Sequence, residues 1–187
     1  MPRAWAVFKT AWGWMGLAAS PRGIAAIVLP HPTKCAALTV LSRLEARRKG
    51  ASENPSRLTS HVSRVTESRL RRARAQMVSF LAGRRQTLAF PVDFTGGTPF
   101  QTRVWRTIRA VPYGQVRSYK WVATRVGGAR YARAVGLALG ANPVPLIVPC
   151  HRVIAADGSL GGFSGGLPIK RRLLALEGTL PRTGRSG

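Results

Sequence analysis

A thiol, an imidazole and a guanidinium stand side by side in Pro149-Cys150-His151-Arg152-Val153, at the end of the apolar run Pro145-Leu146-Ile147-Val148. Free cysteine ionises near pH ~8.5, and cationic neighbours lower that value, so a thiolate at neutral pH is the expected state. A thiolate is a soft nucleophile, and covalent chemistry is expected here; it needs a base and a group to orient the base. Glu177 is the carboxylate for that last task. It falls in the final turn of a helix opened by Pro168, just before Gly178. The negative end of the helix dipole disfavours it there, so it calls for a cationic or imidazole partner, and His151 is the natural one. The run before the cysteine reads as a short strand, in which neighbours point to opposite faces. His151 is therefore not expected to touch the Cys150 sulfur directly. The bland alternative for Cys150 taken alone is a buried core cysteine.

The elements that must position these groups can be read outward from them. Residues 157–166 form a glycine-rich loop without the trailing Lys-Ser/Thr of a phosphate-binding loop, and so suit a pocket wall that admits a flat ring. The helix after Pro168 turns Ile169, Leu173, Leu174 and Leu176 inward. Upstream, Thr98-Pro99-Phe100-Gln101 has the capping-box pattern with proline at the first helical position. Phe100, Val104, Trp105, Ile108 and Val111 supply that helix with a buried stripe, and Pro112-Tyr113-Gly114 ends it. A helix-turn-helix pattern follows: a helix over 119–126, a turn at 127–129 and a second helix over 131–141. In the second helix Ala132, Ala134, Gly136, Ala138 and Gly140 leave Arg133 as the one long cationic side chain. Such a slim helix suits close approach to a groove, the narrow minor groove included, with Arg133 as probe or wedge. Tight helix–helix packing through small residues is the alternative, and the sequence leaves both open.

The N-terminal half carries less chemistry. Residues 4–30 read as a β-hairpin with a further apolar strand at 24–29, turned at Ser20-Pro21-Arg22-Gly23. Residues 41–74 are basic and polar, with linker composition at 50–56 and a mobile loop expected over 42–63. A helix over 65–81 follows, with Leu70, Met77 and Leu81 on its apolar face and Gly83 as its stop. Residues 88–94 read as a short strand, and Thr95-Gly96-Gly97 as the domain boundary, giving domains 1–95 and 96–187.

Composition narrows the partner. The 187 residues carry 30 basic against 6 acidic side chains, a formal charge of +24. That excess favours a polyanion, with nucleic acid ahead of an acidic membrane surface. Cys35 and Cys150 are far apart without a C-x-x-C, so neither a disulfide framework nor a four-ligand zinc site is expected. His31, Cys35 and His61 lack a fourth ligand, and no metal is assigned. Tryptophan and glycine break the N-terminal apolar residues, and no window reaches membrane-spanning length. A reduced, cytoplasmic chain, associated with the nucleoid through DNA, is expected.

Taken in order, Phe100-Gln101-x-x-Val104-Trp105, Pro112-Tyr113-Gly114, Ser118-Tyr119, Ala132-Arg133-Ala134-Val135-Gly136, Asn142-Pro143, Pro149-Cys150-His151-Arg152-Val153 and Leu173-Leu174-x-x-Glu177-Gly178 resemble the O6-alkylguanine-DNA alkyltransferases. The resemblance spans residues 96–178. It implies an α/β (α+β) fold: an N-terminal ribonuclease-H-like α/β domain, then a winged-helix-like helix-turn-helix domain. It implies irreversible, single-turnover transfer of an alkyl group from O6-alkylguanine in duplex DNA, and of O4-alkylthymine, to Cys150, by a monomer without a cofactor or a membrane. Asn142, Tyr119, His151 and Glu177 would be catalytic with Cys150. Arg133, Ala132, Ala134, Gly136 and Tyr119 would meet DNA. Pro145, Val153, Gly161, Ser164 and Gly165 would bound the pocket for the extruded base. A bridging water would link Cys150 to His151, and Asn142 would tie the second helix to the active-site strand. Phe163 departs from the tyrosine many relatives have, and Arg130-Tyr131 adds bulk before the second helix. A binding-only alkyltransferase-like protein is the nearest rival, but those carry another residue at the cysteine position. A transcription factor would leave the Cys–His–Glu set a coincidence, and for a thiol hydrolase the sequence shows no obvious oxyanion or peptide-binding feature.

Overall fold

In the N-terminal stretch, β-branched, aromatic and small residues broken at Trp12 and Pro21 build a three-stranded antiparallel meander. Its strands are β1 (Ala4–Thr10), β2 (Gly13–Ser20) and β3 (Gly23–His31), in the order β1-β2-β3. The computed structural model describes residues 4–46 and 63–180. It divides into two units, Met1–Gly96 and Gly97–Gly187.

In the first unit Met15 to Ser20 of β2 are all buried, which requires cover on both faces of the sheet. Helix α1 (Lys34–Ala46) covers one face, packing Ala37 and Leu41 on Ala18, Ala26 and Val28. Helix α2 (Arg64–Leu81) buries Leu70, Ala73, Met77, Phe80 and Leu81. Its Arg74 lies over the Phe8 ring, and its Arg69 donates to Ser20 O at 2.7 Å. Ser63 caps α2, and Gly83, at a φ of 73°, follows its end.

Two expectations change here. Residues 42–46 close α1 rather than open a loop. Their signal was present: Ala37, Val40, Leu41 and Leu44 repeat with helical period. The rest of the expected loop, 47–62, lies outside the described residues, as does His61. The strand expected over 88–94 shrinks to one parallel bridge, Val92 to Ile24. Pro91 lacks the N–H a ladder needs, so the segment instead crosses the start of β3. Asp93 anchors it, accepting from Ser20 Oγ at 2.8 Å and from Thr95 N at 2.9 Å.

The second unit opens with α3 (Pro99–Arg109). Thr98 and Gln101 form the reciprocal capping box, and Val104, Trp105 and Ile108 are buried. Strand β4 (Arg117–Ser118) leads straight into α4 (Tyr119–Val126), capped by the Ser118 hydroxyl. A 3₁₀ turn over Ala129–Tyr131 joins it to α5 (Ala132–Gly140). The Trp105 indole ties α3 to α5 by donating to Ala138 O at 2.8 Å. Strand β5 (Val153–Ile154) pairs parallel with β4, Arg117 opposite Val153 and Ser118 opposite Ile154. That short ladder brings the first turn of α4 to the segment carrying Cys150. Helix α6 (Leu167–Leu176) ends at Glu177. Among the described residues no helix is long and apolar enough to cross a membrane.

Candidate active site

Residues 143–149 are turns rather than a strand. Pro145 bridges to Val148, and Leu146 takes a φ of 75°. Cys150–Arg152 is a single 3₁₀ turn. Three prolines, Pro143, Pro145 and Pro149, deny this stretch the donors of a ladder. The alternation argument for Cys150 and His151 therefore does not apply, although no hydrogen bond joins the two side chains among the described residues.

Asn142 organises the turn. Its buried amide donates to Val148 O at 2.8 Å and to Cys150 Sγ at 3.1 Å, while its Oδ1 accepts from Val144 N at 3.0 Å. Both amide hydrogens are spent, so the side chain has one orientation. Cys150 is 4 % exposed. Burial pushes its thiol up, and the Asn142 hydrogen bond and the Lys170 charge only partly oppose this. The expectation of a resting thiolate is thus reversed: the sulfur is held as a thiol, beside groups that favour its anion. Arg152, expected to lower this pKa, faces elsewhere.

Glu177 is saturated. Its Oε1 meets His151 Nε2 at 2.8 Å and Arg152 Nη2 at 2.9 Å; its Oε2 meets Arg152 Nε at 2.8 Å and Gly114 N at 3.3 Å. Arg152 also donates to Val111 O at 2.7 Å, and Tyr113 Oη to Leu176 O at 2.7 Å. Burial pushes the Glu177 carboxyl up, but His151 and Arg152 together outweigh it and hold it below its ordinary value. Burial pushes His151 down against the pull of Glu177. A neutral imidazole against a carboxylate must carry its proton on Nε2. Its Nδ1 lone pair is then free, and Nδ1 is buried with no protein partner among the described residues. That is the geometry of a base waiting for a proton.

Lys170 was missed in the sequence. Its ammonium is fully buried and donates to Val153 O at 2.6 Å, to Leu160 O and to Gly162 O at 3.3 Å. It thereby pins the glycine-rich loop to β5. Burial lowers its pKa to about 8, against the pull of Cys150. The signal was periodic: Lys170, Leu173, Leu174 and Glu177 fall at i, i+3, i+4 and i+7, all buried, on one helical face.

Tyr119 opens α4 half-buried and donates to Gly162 O at 3.3 Å. Burial first, then the Cys150 charge, raise its pKa, so the phenol keeps its proton. Gly161 sits at a φ of 62°, and a Cβ there would come within 2.8 Å of the Tyr119 ring; no other residue fits. Of the expected pocket walls, Pro145 and Val153 are buried, Gly161 and Gly165 half-buried, and Ser164 exposed.

The outward face of α5 bears on the two readings of its small residues. Ala138 is buried, but a Cβ at Gly140 would meet nothing within 4 Å, and at Gly136 only the Tyr119 ring at 3.8 Å. Internal packing does not require these glycines. Arg133 projects exposed from the same face, with Ala132 and Ala134 half-buried beside it.

The chain is similar to known proteins. Residues 99–179 match the family profile described as 6-O-methylguanine DNA methyltransferase, DNA binding domain. The methylated-DNA--protein-cysteine methyltransferase of Mycolicibacterium paratuberculosis is 39 % identical over 158 residues, 84 % of this chain and 88 % of that protein. The crystal structure of Mycobacterium tuberculosis OGT in complex with DNA superposes with a TM-score of 0.69 at 32 % identity, covering 95 % of each chain. The O6-methylguanine-DNA methyltransferase of the hyperthermophilic archaeon Pyrococcus kodakaraensis gives a TM-score of 0.67 at 25 % identity, covering 94 % of this chain and 99 % of that one.

Proposed function

The chain belongs to the methylated-DNA--protein-cysteine methyltransferase family, and from that membership we propose that Cys150 is the acceptor in direct reversal of O6-alkylguanine damage in duplex DNA. The observation that carries this reading is the buried His151, held through Nε2 by Glu177 at 2.8 Å, with Nδ1 unpartnered among the described residues, next to a thiol held by Asn142.

An alkyl group on O6 is unreachable inside stacked duplex, so the nucleotide must leave the helix, at a cost of a few kcal/mol. The bare face of α5 enters the minor groove, and Arg133 takes the place of the rotated nucleotide. Tyr119 crowds the neighbouring phosphate. The guanine settles between Pro145, Val153 and the loop from Gly161 through Ser164 to Gly165.

His151 Nδ1 then draws the proton from Cys150 through a water, and the Asn142 amide and the Lys170 ammonium stabilise the anion as it forms. The sulfur attacks the alkyl carbon in line. The S–C bond forms, the C–O6 bond breaks, and its electron pair leaves on guanine. Tyr119 donates toward that leaving group. Guanine ends with one proton more and the protein with one fewer, so the step balances. The thioether has no route back, and each molecule acts once. O4-alkylthymine, which presents the same alkyl–oxygen bond, is a second substrate. The working form is a cytoplasmic monomer drawn to the nucleoid by its charge.

Intact-mass measurement after mixing with O6-methylguanine duplex tests the assignment. One added methylene per molecule, mapped to Cys150, is expected. No gain, or a gain at the exposed Cys35, would overturn it.

A further inference from the structure

Leu137 is 74 % exposed, more than any other large apolar side chain among the described residues. Single exposed leucines are ordinary; the position of this one is not. It lies one turn after Arg133 on the face of α5 where Gly136 and Gly140 leave open space. Successive turns put the two side chains about 6 Å apart along the helix, within two steps of a duplex that rises about 3.4 Å per base pair. Arg133 and Leu137 are thus the two side chains with bulk on a face otherwise cleared. Residues 119–140 hold four cations, Lys120, Arg125, Arg130 and Arg133, and no carboxylate, so the surroundings favour a polyanion.

We propose that Leu137 is a second wedge: an apolar side chain that enters the minor groove of duplex DNA beside Arg133 and packs against the bases and sugars next to the vacated position. The proposal rests on the reading that α5 enters the groove. Minor-groove proteins use leucine in this way to unstack a step and hold the duplex bent. Arg133 fills the gap electrostatically, while Leu137 gives up its water against the groove lining. The extruded state then costs less to hold open.

The test compares the rate of transfer from O6-methylguanine duplex with the rate from an O6-alkylguanine free base, which requires no extrusion. Leu137→Ala should lower the ratio of the two roughly tenfold, the loss expected when a leucine no longer buries its side chain, and Leu137→Met should restore it. Arg133→Ala, run alongside, should lower the same ratio. If Arg133→Ala lowers it and Leu137→Ala does not, the wedge is wrong and the groove reading stands. If neither lowers it, the groove reading fails and the wedge fails with it. A Leu137→Ala protein that slows equally on both substrates would place the leucine in folding rather than in DNA, and would also overturn the proposal.

Discussion

The interior of the active site and the outward face of α5 lie in the same unit and follow opposite rules. Around Cys150 the polar groups are spent on one another. Glu177 accepts four hydrogen bonds, Asn142 makes three, and Lys170 reaches three carbonyls. On α5 the side chains are removed: glycines stand where the protein itself leaves room for more. One region is preorganised because charge must appear on sulfur and on a leaving oxygen without solvent to help. The other is emptied, which on the proposed reading lets a duplex come close. Substitutions in the first should slow free base and duplex alike. Substitutions in the second should spare the free base and slow only the duplex.

The sharpest separation comes from Cys150→Ala. It should abolish transfer from both substrates while duplex affinity stays near that of the parent, because the sulfur makes no contribution to the groove face. Loss of affinity in a folded Cys150→Ala protein, measured by titration against duplex, would join the two regions and break the comparison.

Glu177→Gln comes next. The amide cannot match a carboxylate against both His151 and Arg152, and it leaves a buried guanidinium uncompensated, a loss of about 3–5 kcal/mol in stability. Transfer should fall by about a hundredfold or more as the base loses its orientation, equally for both substrates. The acid limb follows from the same pair. Glu177 and His151 both have folded pKa values below their unfolded ones, so their stability is present above the unfolded values. It is lost as pH falls through the folded ones, because there the unfolded chain has bound protons that the folded one refuses. Chemical denaturation at falling pH should show the loss in the parent in two parts, one below pH 6.5 from His151 and one below pH 4.5 from Glu177, and Glu177→Gln should lack the second.

Lys170 sets the alkaline limb. An ammonium offers three hydrogens to three carbonyls, and the neutral amine only two, so deprotonation near the value of about 8 loosens the glycine loop and removes the cation facing the nascent thiolate. Since the folded value lies below the unfolded one, stability rises with pH between them even as the site loosens. The transfer rate should turn down above pH 8 in the parent. In Lys170→Met the rate should be lower, by roughly tenfold, with no downturn. A downturn that survives the substitution would remove the lysine from the positioning role.

These expectations also show what a single sequence discloses. Capping signals and apolar period gave α3, α4 and α6 to within a residue or two, because those signals are local. Glu177 could be paired with His151 in advance, since a carboxylate at a helix C-terminus is a local conflict that requires a partner. The surroundings of the sulfur were not legible in that way. Its raised pKa comes from burial, and burial is decided by the β4–β5 ladder and the Asn142 clip, contacts between segments distant in sequence or bent by proline. Arg152 was misjudged for the same reason: adjacency in the chain suggested a cation beside the thiol, while the 3₁₀ turn aims it at Glu177. Lys170, seven residues before Glu177 on the same helical face, was the cation to choose.

The smallest expected effect probes the emptied face most directly. Gly136 lies inside α5, where glycine costs about 0.5–1 kcal/mol relative to alanine. An added Cβ would meet only the Tyr119 ring at 3.8 Å, an ordinary contact. Gly136→Ala should therefore stabilise the fold by up to that amount, seen as a raised melting temperature. It should react with free base as the parent does. Toward duplex it should be slower, because the methyl group occupies the space the groove wall needs. If the substitution stabilises the protein and leaves the duplex rate unchanged, the glycine answers to no partner, and the contrast between a filled interior and a cleared face loses its meaning at this position.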